Sequence, residues 1–111
     1  MPPRFLGEFE QMVLLATLQL KESANAVSIL RELDARAGRS VSRGTLYKTL
    51  ERMEVKGLVA WDAEEGPPER GGHPRRLFRV TGRGIQALQE SRAAFLRLWE
   101  GLDEAVGESE P

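Results

Sequence analysis

The stretch from Ala63 to Arg76 reads Ala-Glu-Glu-Gly-Pro-Pro-Glu-Arg-Gly-Gly-His-Pro-Arg-Arg, and it constrains the fold more than any other segment. Its Gly, Pro and charged residues suit neither a buried strand nor an unbroken helix, so it reads as a solvated loop. Two short apolar runs flank it, Leu58-Val59-Ala60-Trp61 and Leu77-Phe78-Arg79-Val80. Strands joined by such a loop form a hairpin. The rest of the chain carries helical spacing instead. A chain of 111 residues therefore has to arrange helices on both sides of one hairpin around a single core.

Three helices are predicted before the hairpin. From Arg4 to Leu20 the apolar residues include Phe5, Leu6, Phe9, Met12, Val13, Leu14, Leu15, Leu18 and Leu20, at helical spacing but on more than one stripe. Such a helix must be covered on most sides. Two readings stay open: the central helix of a monomer, or a helix that shows one face to its own domain and another to a second subunit. Ser23 and Asn25 are candidate N-caps for a second helix. It places Ala26, Ile29, Leu30, Leu33 and Ala37 on one face and stops at Gly38. After the link Arg39-Ser40-Val41, at most a minimal strand, Ser42 caps a third helix that runs to about Lys56, with Gly57 at its stop. Leu46, Leu50 and Met53 form its inward stripe. Gly44, Lys48, Glu51 and Arg52 point the other way, flanked by Thr45 and Tyr47.

Beyond the hairpin, Thr81 caps a last helix predicted to reach about Val106. Ile85, Leu88, Arg92, Phe95, Trp99, Leu102 and Val106 alternate steps of three and four, which is a heptad seam. The order α-α-α-β-β-α is that of a winged helix-turn-helix: mainly α, with a small antiparallel β-hairpin and an added C-terminal helix. The predicted organisation is a DNA-binding domain over 1–83, whose first helix is shared with a dimer interface, a dimerisation helix over 84–106, and a disordered tail over 107–111. The seam faces nothing in its own subunit, so a two-fold partner is expected to cover it. Phe5, Phe9, Ile85, Leu88, Arg92, Phe95, Trp99 and Leu102 are the expected interface residues. Arg92 on that seam costs stability unless it meets an acidic partner. Trp99 has two readings: an anchor of the homodimer, or, with Phe95, the wall of a slot for a small apolar or aromatic effector.

Composition removes several classes. There is no Cys, and His73 is the only His, so thiolate sites, His-pair metal sites and a Ser-His-Asp triad are not expected. The carboxylates lie mostly on helix faces and in the tail, a poor basis for a hydrolase. No enzyme activity, cofactor or metal is expected. The Gly-rich loop lacks the Gly-Lys-Ser/Thr ending of a phosphate-binding loop. The longest apolar run, Met12 to Leu18, is far shorter than the ~20 residues of a membrane span. Met1-Pro2-Pro3-Arg4 lacks the pattern of a signal peptide, and a cytoplasmic protein without a membrane partner is expected.

Sixteen Lys and Arg against seventeen Asp and Glu give a net charge of −1, which as an average argues against nucleic acid. The placement argues the other way. From Arg36 to Arg83 there are eleven basic and six acidic residues, net +5; the segments before and after carry −2 and −4. The basic segment coincides with the third helix and the hairpin, the two elements a winged-helix protein lays on double-stranded DNA. Arg43 and Thr45 lie in the first turn, where Arg can pair with guanine and Thr can meet adenine or thymine. Gly44 lets the backbone approach the duplex, and Ser42 with the free N–H groups of that turn favours a phosphate. Lys48 and Arg52 suit phosphates, while Tyr47 either reaches a phosphate or flanks the core. On the hairpin, Arg70, His73, Arg75 and Arg76 can follow the backbone or enter a minor groove. Arg75 and Arg76 can alternatively pair with Glu64, Glu65 or Glu69, and Trp61 is core or platform. A winged-helix module for protein–protein contact, without specific DNA binding, is the alternative reading of the whole.

The run Ser42-Arg43-Gly44-Thr45-Leu46-Tyr47-Lys48-Thr49-Leu50, continuing to Gly57-Leu58-Val59, closely resembles the recognition-helix motif of the PadR family of transcriptional regulators. Pro74-Arg75-Arg76-Leu77-Phe78-Arg79-Val80-Thr81, followed by Gly84, is similar to that family's wing strand and Thr-x-x-Gly helix start. With the first helix, the resemblance covers nearly the whole chain and fits the compact branch with one C-terminal helix. It implies a homodimeric repressor on a near-palindromic operator, released by a small molecule or another signal. It also implies Ser42, Gly44, Thr45 and Tyr47 at the DNA surface and Arg75 and Arg76 on the wing. The chain departs from the family pattern at Lys48, where Pro is frequent, at Asn25-Ala26, where His-Gly is frequent, and at Leu77-Phe78, where paired aromatics are common.

Overall fold

The computed structural model describes residues 6–64, 75–102, 104 and 105. Its elements are α1 (Glu8–Leu20), a 3-10 turn (Lys21–Ser23), α2 (Ala26–Ala37), α3 (Arg43–Val55), β1 (Val59–Glu64), β2 (Arg75–Val80) and α4 (Gly82–Trp99). This is the winged helix-turn-helix order that the hairpin and its flanking helices predict. Phe5, Arg70, His73, Val106 and the tail 107–111 lie outside the described residues.

Each boundary has a local cause. The first helix starts at Glu8 rather than near Arg4, because the Gly7 N–H donates to Glu10 Oε1 at 3.1 Å and fixes the entry there. Asn25 and Ser28 cap α2 reciprocally: Asn25 Oδ1 accepts from the Ser28 N–H at 3.0 Å, and Ser28 Oγ accepts from the Asn25 N–H at 2.9 Å. Ser23, the other cap candidate, lies in the 3-10 turn and accepts from Ser28 Oγ through its carbonyl. Gly38 and Gly57 follow α2 and α3 with φ of 62° and 77°, left-handed values that cost glycine little. Arg39-Ser40-Val41 forms no strand.

The core joins all three N-terminal helices and the wing. Val13, Leu14 and Ala16 of α1 meet Ala26, Ile29 and Leu33 of α2, Leu46, Leu50 and Met53 of α3, and Leu58, Val59 and Phe78 of the wing. The inward stripe of α3 is buried as its spacing predicts. That of α2 stops one turn early, with Ala37 exposed on the rim of a shallow apolar groove beside α1. The two strands are antiparallel, with Trp61 opposite Phe78 and Glu64 opposite Arg75. The Phe78 N–H also donates to the Ala24 carbonyl at 2.7 Å, which ties the wing to the turn before α2.

Thr81 and Gly84 lock α4 onto this body. Thr81 Oγ1 accepts from the Gly84 N–H at 3.1 Å and donates to the Gly57 carbonyl at 2.6 Å. A Cβ at Gly84 would lie 2.3 Å from the Leu58 carbonyl oxygen, so only glycine fits this approach. With Gly84 and the buried Ser91 both small, α4 sits close and Leu88 packs on the domain's own core. This corrects the expectation that the whole seam faces nothing in its own subunit. Ile85 is half-buried. The later seam residues Phe95 and Trp99 keep 55% and 46% of their surface exposed, beside exposed Leu96, Leu98 and Leu102.

The predicted helix to Val106 ends at Trp99 instead. Glu100 turns out of helical geometry with ψ 126°, Gly101 follows at φ 80°, and the Leu102 N–H closes the turn on the Trp99 carbonyl at 2.9 Å. Glycine in a helix interior is disfavoured and in a C-terminal turn is favoured, and the second preference wins here. Among the described residues, no helix is long and apolar enough to cross a membrane.

Candidate nucleic-acid interface

A groove of about 670 Å³ opens between the N-terminus of α2, the outer side of α3 and the base of β2. Arg43, Tyr47 and Glu51 line it from α3, Asn25, Ser28 and Arg31 from α2, and Arg75 and Arg76 from the wing. Four guanidinium groups thus share one opening with a single carboxylate. None of the ion pairs Arg36–Glu32, Arg39–Glu8, Lys56–Glu10 and Arg79–Asp62 takes up a groove arginine.

At the head of α3, Ser42 Oγ accepts from the Thr45 N–H at 3.1 Å and donates to Thr45 Oγ1 at 2.9 Å. The Ser42 hydroxyl is therefore spent on the cap, while the Thr45 hydroxyl retains its own proton to donate. Arg43, Gly44 and Thr45 are all exposed. A Cβ at Gly44 would meet nothing nearer than Ser42 Oγ at 3.9 Å, and its φ is not positive. Nothing within the chain requires glycine there. Tyr47 is half-buried: it packs on the core and lines the groove wall.

Arg76 lies against an aromatic ring. Its guanidinium lies 4.5 Å from the centre of the Trp61 ring, and the Trp61 Nε1–H donates to Glu54 Oε1 at 3.1 Å. Trp61 is thus platform and partial core together. Lys48 and Arg52 lie around the helix from the groove, on a neighbouring depression that also includes Val55 and Lys56 and shares Glu51 with the groove. Arg52 Nη2 reaches Thr49 Oγ1 at 3.4 Å, and the Thr49 hydroxyl donates to the Thr45 carbonyl at 3.1 Å. Lys56 is committed to Glu10, at 2.9 Å. Burial pushes the Glu10 carboxyl up, but the hydrogen bonds from Lys56 and Gly7 and the charges of Lys56 and Arg52 outweigh it and hold the group below its ordinary value.

The sequence reading missed the contribution of α2. The signal for Asn25 was its role as a cap, since a capped N-terminus beside α3 puts its free N–H groups in the same groove. Arg31 gave no such signal, because its place two turns on depends on how α2 crosses α3. Phe9, expected at a dimer interface, packs partly on its own core, with the Arg39 guanidinium 5.2 Å from its ring centre. Among the described residues, no cluster of His, Asp or Glu could hold a metal ion.

A three-helix core with a capped outer helix, an antiparallel wing and a basic groove between them defines a winged helix-turn-helix protein. The chain belongs to the PadR family: the model described as "Transcriptional regulator PadR-like family" matches residues 14–90. It is accordingly a transcriptional regulator and not an enzyme. It is 42% identical over 64 residues to transcriptional regulator Rv3488 of Mycobacterium tuberculosis, a match covering 58% of this chain and 56% of that protein. The chain thus spans little more than half the length of that relative. Among solved structures, a PadR-like transcription factor from Bacteroides fragilis is 30% identical, with 88% of this chain and 89% of that one covered and a TM-score of 0.70. A PadR family regulator from Eggerthella lenta is 29% identical, covers 92% and 88%, and has a TM-score of 0.66.

Proposed function

We propose that this regulator is a homodimer that binds a near-palindromic site on double-stranded DNA and acts as a cytoplasmic repressor, released by a small apolar or aromatic effector. The observation that carries the DNA reading is the groove in which Arg43, Arg75, Arg76 and Arg31 converge beside the exposed head of α3. In this reading Arg43 and Thr45 reach base edges, Gly44 admits the duplex backbone, and Ser42 positions Thr45. Tyr47, Lys48 and Arg52 meet flanking phosphates. Arg75 and Arg76, with Arg70 and His73 of the loop, follow the backbone from the wing.

The exposed Phe95 and Trp99 on the outer half of α4, with Leu102 in the turn beyond it, support the dimer, because a surface that leaves such residues in water gains by covering them. Phe95 and Trp99 there also suit a flat apolar effector. Two α3 helices in a two-fold dimer would meet half-sites about 34 Å apart.

Selection of bound duplexes from a random library tests the proposal. Enrichment of a near-palindrome with half-sites about one helical turn apart is expected. A dimer that enriches no sequence would overturn it and favour a protein-contact module.

A further inference from the structure

Glu54, Trp61 and Arg76 come from three different elements, the last turn of α3, β1 and β2, and they form one continuous contact. Glu54 Oε1 accepts from Trp61 Nε1 at 3.1 Å, which orients the indole, and the indole face carries the Arg76 guanidinium at 4.5 Å. An arginine stacked in this way uses its face on the ring. Its N–H edge stays free to donate to phosphate oxygens. An exposed arginine otherwise loses considerable rotamer freedom when it docks.

We infer that Trp61 is a positioning residue for DNA binding, and that Glu54 acts through it. The indole holds Arg76 over the groove before the duplex arrives, so the wing contact forms with less ordering. Two features support a role beyond packing. Arg76 lies on the ring and at the same time lines the groove that Arg43 lines from α3. Glu54 belongs to α3 itself, so the wing arginine is indexed to the helix that carries Arg43. This inference rests on the DNA-binding reading above.

A double-mutant cycle read by fluorescence anisotropy on a selected duplex tests it. Trp61→Leu should weaken binding about three- to fivefold, the scale of an exposed cation–π contact. Trp61→Phe keeps a ring and should stay within about twofold of wild type. Arg76→Ala should weaken binding and flatten the dependence of log affinity on log salt by about 0.9. In the Arg76→Ala background, Trp61→Leu should have no further effect. Equal losses from Trp61→Leu in both backgrounds would show that the ring acts through packing, and would overturn the inference while leaving the DNA reading intact. Trp61→Phe as damaging as Trp61→Leu would also overturn it. A wild-type protein that binds no duplex would remove the DNA reading, and the inference with it.

Discussion

Lys56 Nζ lies 2.9 Å from Glu10 Oε2, and this ion pair joins the end of α3 to the first turn of α1. Glu10 is buried and its other oxygen accepts from the Gly7 N–H. The carboxylate therefore serves two purposes. It starts the first helix, and it fixes the angle between that helix and the outer helix of the groove.

Stability should depend on this carboxylate in a pH-dependent way. Its folded pKa lies below the ordinary value of 4.5, so its contribution is complete above that value and is lost as pH falls through the folded pKa. Glu10→Gln should cost about 1–2 kcal/mol at neutral pH, since Lys56 is half-exposed and recovers some hydration. Urea denaturation across pH should show the gap closing in acid. A gap that does not change with pH would contradict this.

The Thr81–Gly84 turn gives a second expectation. Gly84→Ala should cost about 1–3 kcal/mol from the clash with the Leu58 carbonyl, although alanine favours helix elsewhere. Thr81→Val should cost about 1–2 kcal/mol, because the cap and the bond to Gly57 are lost together. Thermal melting of both variants checks this, and an unchanged melting temperature for Gly84→Ala would show that the approach is not tight.

Gly44 separates stability from binding. Gly44→Ala adds a methyl group to open space on a helix and should stabilise the protein by up to about 1 kcal/mol. The same methyl group stands where the duplex backbone is proposed to approach, so affinity for DNA should fall. Denaturation and anisotropy on the same sample decide it: a variant that is more stable and binds as well as wild type would remove Gly44 from the interface.

Association should depend on the outer half of α4. Trp99→Ala should lower the mass measured by light scattering at low micromolar concentration, while circular dichroism stays helical. An unchanged dimer mass would count against Trp99 as an anchor.

Much of this was legible locally. The caps Asn25, Ser42 and Thr81 and the stops Gly38 and Gly57 depend on neighbours within a few residues, and sequence shows those directly. The burial of Leu46, Leu50 and Met53 follows from helical period alone. What could not be read depends on distant contacts. Leu88 turned inward because Gly84 and Ser91 let α4 approach Leu58, a relation between elements far apart in the chain. The end of α4 at Trp99 turned on Gly101, whose helix-stopping tendency competed with an apolar pattern that continued to Val106. Arg76 on Trp61 and Arg31 in the groove required the register of the wing and the crossing of α2 with α3.

The net charge of −1 conceals a basic surface, and salt exposes it. Binding of the selected duplex should be measured from roughly 50 to 200 mM salt for wild type and for Arg43→Ala and Lys48→Ala. Log affinity should fall linearly with log salt, both variants should bind more weakly, and Lys48→Ala, whose proposed partner is a phosphate, should flatten the slope by about 0.9. Arg43→Ala should also lose sequence preference, since its proposed partner is a base. Binding that ignores salt, or that keeps its slope and its preference in both variants, would contradict the account.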